Sequence, residues 1–238
     1  MNNEMQNRPL ALPPLVQWTF PGRTLIFILA AASIWCLLLE MYALCDMRTF
    51  AIYILLPCTL ALYAIAWLNH RSGDRALARA IMIGTLAGLV AAVAYDIFRL
   101  PFVFSRAWGL ESVVPQMPLF KVFPRFGAML LGQPLEQEAY SLPAHLWGWA
   151  YHFSNGATFG VMFAAVAGCR LSARAAIFSA VLMAVGIEIL MLVSPYTGFF
   201  NIHLTTRFVT VTMIAHVIFG LILGIYFAWH LRRIRSTA

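Results

Sequence analysis

An all-α, polytopic transmembrane helical bundle is the fold class this sequence predicts, and three observations carry that prediction. The 238-residue chain is 62% hydrophobic and 11% charged, whereas a soluble domain carries about 45–50% apolar and about 25% charged residues. Its apolar residues fall in continuous runs that reach the roughly 20 residues a helix needs to cross the hydrocarbon. Those runs do not alternate with polar residues as the strands of a membrane barrel do. Six runs qualify, at about 24–45, 50–68, 76–98, 143–167, 172–194 and 205–229. Residues 23–238 then form one six-helix membrane domain behind an N-terminal tail, 1–22.

The tail is polar and contains Pro9, Pro13, Pro14 and Pro21. It has no basic stretch leading into a short apolar region, so it does not read as a cleavable signal and the first span serves as an anchor. That span starts at Arg23 and carries Glu40 near its far end; only Asp46 and Arg48 divide it clearly from the second. The third opens with Ala78-Arg79, carries Asp96 and meets Pro101. The fifth opens with Ala173-Arg174, carries Glu188 and meets Pro195. Each is followed by a span bearing the same pattern, H-x3-G-x3-G-x2-F: His152-Gly156-Gly160-Phe163 in the fourth and His216-Gly220-Gly224-Phe227 in the sixth. Spans three and four thus resemble spans five and six as hairpins running in the same direction, a parallel internal repeat. The first span is a partial third copy, since Arg23 precedes Glu40 by seventeen residues, as Arg79 precedes Asp96.

Residues four apart lie nearly above one another on a helix. Each pattern is therefore one stripe, an imidazole followed by small residues, and small residues let helices in lipid approach closely. Gly148, Gly156 and Gly160 mark the packing face of span four, and Gly220 and Gly224 that of span six. The simplest arrangement sets these spans against each other or on a shared neighbour, with both imidazoles at similar depth. At 1.5 Å per residue, His216 lies within about 2 Å of its span's midpoint and His152 about 5 Å outward. Glu188 and Glu40 fall roughly 8 Å outward and Asp96 about 13 Å.

The net charge of +7 follows from topology, so no nucleic-acid partner is expected. Arg8, Arg23, Arg71, Arg75, Arg79, Arg170, Arg174, Arg232, Arg233 and Arg235 gather on one side; Arg48, Arg99, Arg106, Lys121, Arg125 and Arg207 gather on the other. Ten against six, with the short loops on the richer side, places both termini in the cytoplasm of a bacterial-type inner (plasma) membrane. The long loop 99–142 between spans three and four then faces outward. It is rich in proline and aromatics, and its segment 120–131 reads as an interfacial stretch with Lys121 and Arg125 reaching to headgroups. Such a loop either rests on the membrane or serves as a lid.

Ionisable residues held in lipid mark a functional site by default. His152, His216, Glu188, Glu40 and Asp96 form the candidate cluster, and four readings fit it. Two imidazoles with carboxylates suit iron, zinc or manganese. A haem b held between His152 and His216 would use the glycines as room for the macrocycle. A proton or ion path would use the same groups with Arg99 and Arg207 as counter-ions. In the fourth reading the histidines and glycines only pack helices, and the chain is an accessory or assembly subunit. Its partners are then the bilayer, other membrane subunits or a second copy of itself. No nucleotide-binding, nucleophile-elbow or kinase motif is present, so no reaction is assigned. Cys36, Cys45, Cys58 and Cys169 include no C-x2-C pair, which leaves them as packing residues. The eleven methionines read as core filler.

Overall fold

A computed structural model of the chain describes residues 16–73, 75–167 and 171–235, with side chains to His230. Most of the expected tail, Cys169 and the three C-terminal arginine side chains lie outside that description. The helices are α1 (Phe20–Met41), α2 (Met47–Phe50), a π-helical stretch (Ala51–Leu55) running into α3 (Leu56–Ser72), α4 (Ala76–Val103), α5 (Val122–Leu130), α6 (Leu142–Ala167), α7 (Ala173–Val193), α8 (Tyr196–Phe199) and α9 (Thr206–Arg235).

Their ends follow local sequence. Thr19 caps α1 with Pro21 in the first turn, where a missing N–H costs nothing. Asp46 accepts from the Thr49 amide at 2.8 Å and starts α2. Ser141, Ser172 and Thr205 cap α6, α7 and α9 through the amides of Ala144, Ala175 and Phe208, each satisfying a donor the helix leaves open. Gly73, at φ +88°, ends α3 in the left-handed conformation that glycine adopts without penalty.

Among the described residues, five helices are long and apolar enough to cross a membrane: Phe20–Met41, Met47–Ser72, Ala76–Val103, Ala173–Val193 and Thr206–His230. The third is longer than the sequence suggests. Pro101 lies inside α4 and does not end it, because a proline in the last turn forfeits one hydrogen bond only. Asp96 consequently sits about 10 Å from that helix's midpoint. The expected fourth span is α6. Its 26 residues give it the length, but it falls outside the five because polar residues such as His145, His152, Ser154 and Asn155 dilute its apolar run.

α4 and α6 form the middle of the bundle. α6 packs on α1, α4 and α5, while α4 also packs on α3 and α9, and α7 lies against α9. Burial follows the same order: 67% of the apolar window of α4 is buried but only 22% of that of α7. Ile26, Leu62, Leu77 and Val161 fill the space among α1, α3, α4 and α6, and Ala87, Phe163, Ala180 and Phe219 that among α4, α6, α7 and α9. Arg23 donates to the Ala165 and Val166 carbonyls at 2.6 Å each. It thus satisfies the open end of α6 from the first turn of α1.

The segment expected to lie flat at the interface is α5, and it is folded into the bundle. Phe123, Phe126, Ala128 and Met129 are buried. A Cβ added at Gly127 would meet the Ala144 carbonyl oxygen at 1.7 Å, and one at Gly148 the Phe123 carbonyl oxygen at 1.7 Å. Arg125 donates to the Phe200 carbonyl and pairs with Glu136 at 2.8 Å.

Candidate functional site

The glycine stripes set the spacing of the helices that carry the polar groups. Gly156 and Gly160 of α6 face Gly88 and Gly84 of α4: an added Cβ would lie 2.0 Å from the Gly156 oxygen at Gly88 and 2.0 Å from the Gly84 oxygen at Gly160. Gly220 and Gly224 of α9 rest on α7, where an added Cβ would lie 2.6 Å from the Cα of Val181 and of Ile177. The two stripes therefore do not face each other; α4 is the neighbour that α6 and α9 share. Gly84 and Gly88 were open to detection as a further G-x3-G pair.

Each hairpin then closes on itself through one carboxylate and one imidazole. In the first, His152 Nε2 lies 2.8 Å from Asp96 Oδ2. In the second, His216 Nδ1 lies 3.1 Å from Glu188 Oε2. Small residues precede each carboxylate by four, eight and twelve positions: Ala92, Gly88 and Gly84 before Asp96, and Ala184, Ala180 and Ala176 before Glu188. All six are buried. The similarity seen between the hairpins thus has a spatial counterpart, because the carboxylate stands one step above the close contact in both.

The hairpins differ in what else the carboxylate meets. Asp96 also pairs with Arg99 Nη1 at 3.3 Å. Arg99 donates to the Leu119 carbonyl through Nη2, and its guanidinium carbon lies 4.7, 5.0 and 5.5 Å from the ring centres of Tyr95, Phe120 and Phe123. The arginine is 4% exposed, so a cation is held away from water by one carboxylate, one carbonyl and three aromatic faces. Position 191, the equivalent of Arg99 in the second hairpin, is a methionine. Glu188 instead contacts the Thr212 hydroxyl. His216 Nδ1 lies 2.9 Å from the Thr212 carbonyl; a carbonyl only accepts, so Nδ1 carries the hydrogen. Glu188 and His216 are 2% and 8% exposed.

Tyr95 joins the two pairs. Its ring centre is 6.1 Å from that of His152 and 5.0 Å from that of His216, and the separation of the imidazoles cannot exceed the sum of those distances. Tyr95 carries no mark in the sequence beyond lying beside Asp96.

The five residues expected to share a metal are not brought to one point. Among the described residues no three His, Cys, Asp or Glu side chains are placed to hold a metal ion. Glu40 is elsewhere, accepting from the Met47 amide and so bracing the turn between α1 and α2. The haem reading meets a similar obstacle. The Tyr95 ring lies against both imidazoles, where a macrocycle held between them would have to sit. Of the counter-ion candidates, Arg99 is paired within the site, whereas Arg207 is exposed at the start of α9. Cys36, Cys45 and Cys58 are free thiols.

A cavity of about 560 Å³ adjoins the second pair. Glu188, Thr212, Tyr95 and Arg99 line it, together with residues of the 116–125 segment, α8 and the start of α9. Burial raises the Tyr196 phenol on its wall well above its ordinary pKa, so this hydroxyl stays neutral and available as a donor. No protein-family model, curated protein or solved structure matches the chain.

Proposed function

We propose that the chain is a six-crossing protein of a bacterial-type plasma membrane, with α6 as the interior crossing and both termini in the cytoplasm. Its Glu188–His216 pair is a proton-exchanging group beside an outward-opening ligand cavity. The observation that carries this reading is the unequal charge balance of two otherwise similar buried pairs. In the first hairpin Arg99 sets a permanent cation against Asp96 at 3.3 Å. Among the described residues, the ion pair that Glu188 makes is with His216. In a medium where an uncompensated charge is expensive, the second pair is balanced only while it holds one exchangeable proton, on the carboxyl or on the second imidazole nitrogen. The hydrogen bonds favour the same conclusion. The Thr212 hydroxyl has one hydrogen and lies near both Glu188 and the Phe208 carbonyl, the latter at 3.0 Å. Both contacts are satisfied when the hydroxyl donates to the carbonyl and Glu188 donates to the hydroxyl.

Binding coupled to protonation fits better than transport, because the paired carboxylates Asp96 and Glu188 both lie towards the same end of the bundle, in the last turns of α4 and α7. The proposal is tested by infrared difference spectra of the protein in nanodiscs during a pH titration. A carboxylic C=O band that titrates, disappears in Glu188→Gln and persists in Asp96→Asn is expected. A spectrum with no such band, or a band indifferent to Glu188→Gln, overturns it.

A further inference from the structure

We infer that the cavity beside Glu188 binds a phosphate oxyanion, carried by the headgroup of an anionic lipid. Its wall presents four cationic side chains, Arg99, Lys121, Arg125 and Arg207, against one carboxyl group, Glu188. Arg99 and Arg125 already have a carboxylate partner each, so the excess charge that favours an anion comes from Lys121 and Arg207, and guanidinium groups match the geometry of phosphate oxygens. Arg125 is already partly neutralised by Glu136. Arg99 shares Asp96 with His152; Lys121 and Arg207 are exposed.

A second observation points the same way. Arg99 has a side chain only 5% exposed, and its Nε is a buried donor with no acceptor. A buried N–H left unpaired costs about 1–3 kcal/mol, and a ligand oxygen that displaced the packing around it would relieve it. The rest of the wall explains why the anion is part of an amphiphile. Leu119, Met191, Leu192, Phe200 and Phe208 line the same space and offer an acyl chain an apolar surface next to the cations. The volume lies in the range of small-ligand sites, about 300–1,000 Å³. This inference does not depend on proton exchange at Glu188, although a neutral Glu188 would suit an anionic neighbour.

Native mass spectrometry of the protein released from mild detergent tests it, with inorganic phosphate, phosphatidylglycerol and phosphatidylcholine as probes. The expected result is one phosphatidylglycerol retained per chain, displaced by no comparable amount of phosphatidylcholine. Lys121→Gln/Arg207→Gln should weaken that retention by roughly tenfold or more, one lost charge-assisted contact being worth about that factor. These two exposed side chains leave the core intact, and an unchanged unfolding midpoint verifies it. Saturable binding of inorganic phosphate that competes with the lipid supports the oxyanion site and adds a soluble source. Absence of saturable binding for both phosphate and phosphatidylglycerol overturns the inference. So does retention that ignores headgroup charge or the double substitution. None of these outcomes depends on the infrared band of Glu188, so the two proposals fail separately.

Discussion

Arg99→Met separates the two buried pairs by their energetics. The substitution keeps an apolar side chain of similar reach against Tyr95, Phe120 and Phe123, but it removes the cation 3.3 Å from Asp96. The Asp96 side chain is 10% exposed, so its carboxylate loses the compensating cation in a largely enclosed site. Removing one member of a buried ion pair costs about 3–5 kcal/mol, mostly through the charge left behind. Asp96→Asn on top of Arg99→Met removes that charge and leaves His152 an amide to bond. The double variant should therefore recover roughly half or more of the loss, as replacing a whole buried pair is often close to neutral. Glu188→Gln strands no arginine. Its cost should stay on the scale of a hydrogen bond, about 1–3 kcal/mol. Denaturant titration in mixed micelles, followed by intrinsic fluorescence, measures all three. If the double variant is no more stable than Arg99→Met alone, or if Glu188→Gln costs as much as Arg99→Met, this charge balance is wrong.

Other expectations follow from single features. Gly88→Ala places a Cβ 2.0 Å from the Gly156 oxygen, and overpacking against backbone costs about 1–3 kcal/mol or more; Gly186→Ala meets nothing within 4 Å and should stabilise α7 by about 0.5–1 kcal/mol. Equal unfolding midpoints for these two variants would contradict the packing of α4 on α6. Asp46 has its pKa held below the ordinary carboxylate value by the Thr49 backbone and side-chain hydrogen bonds. The cap is thus present above that ordinary value and lost as pH falls through the lowered one. Below about pH 4 the Thr49 amide should lose protection, measured as its exchange rate relative to the intrinsic rate at the same pH, in the parent but not in Asp46→Asn, whose amide oxygen caps at any pH. Purified protein should hold iron, zinc or manganese no differently after His152→Ala, because no three His, Cys, Asp or Glu side chains converge among the described residues; stoichiometric metal lost in that variant would restore the metal reading.

The sequence made the faces of the helices legible and left their neighbours open. A stripe at four-residue steps shows that Gly156 and Gly160 share a side of α6, because helical geometry alone determines that. Which helix lies opposite depends on the rotation of every other helix, and Gly84 and Gly88 compete for the role with every small residue in the chain. The pairing of one carboxylate with one histidine per hairpin was half visible. The order of Asp96, Pro101 and His152 repeats as Glu188, Pro195 and His216, but depth counted from apolar runs placed Asp96 too near the interface. The run ends at residue 98 by composition, whereas α4 continues through Pro101 to Val103. Glu40 was misleading for the same reason: its spacing from Arg23 matched the pattern, yet it falls in the last turn of α1 and serves the Met47 amide. The burial of α5 had a signal in Gly127, whose lack of a side chain matters only once Ala144 lies against it.

The helix that carries His152 is also the one that fails as an apolar span, and the two facts have one cause. A helix touching lipid around most of its circumference must be apolar there, as in α7, where Phe178, Leu182 and Leu190 are exposed. α6 is covered by α1, α4 and α5 instead, and the Ser33 and Thr158 hydroxyls, 2.6 Å apart, meet in its interface with α1. Tyr151 donates to the Ser33 carbonyl at 2.7 Å. Protein neighbours, unlike lipid, satisfy polar groups, so an interior helix can carry residues that a peripheral one cannot. Low hydropathy in a helix of spanning length therefore locates the centre of this bundle. It also shows why the polar pairs lie where they do: α4 and α9 bring Asp96 and His216 to the same interior, and Tyr95 of α4 touches both imidazoles. Exchanging Ser33 for leucine would test this ordering directly. A bulky apolar group at a position that is 0% exposed would separate α1 from α6, pull the Ser33 carbonyl away from Tyr151 and remove the hydroxyl that meets Thr158. That should cost more than the same exchange at Ser154, which is only part-buried. Equal losses at the two sites would mean that α6 is not the enclosed helix.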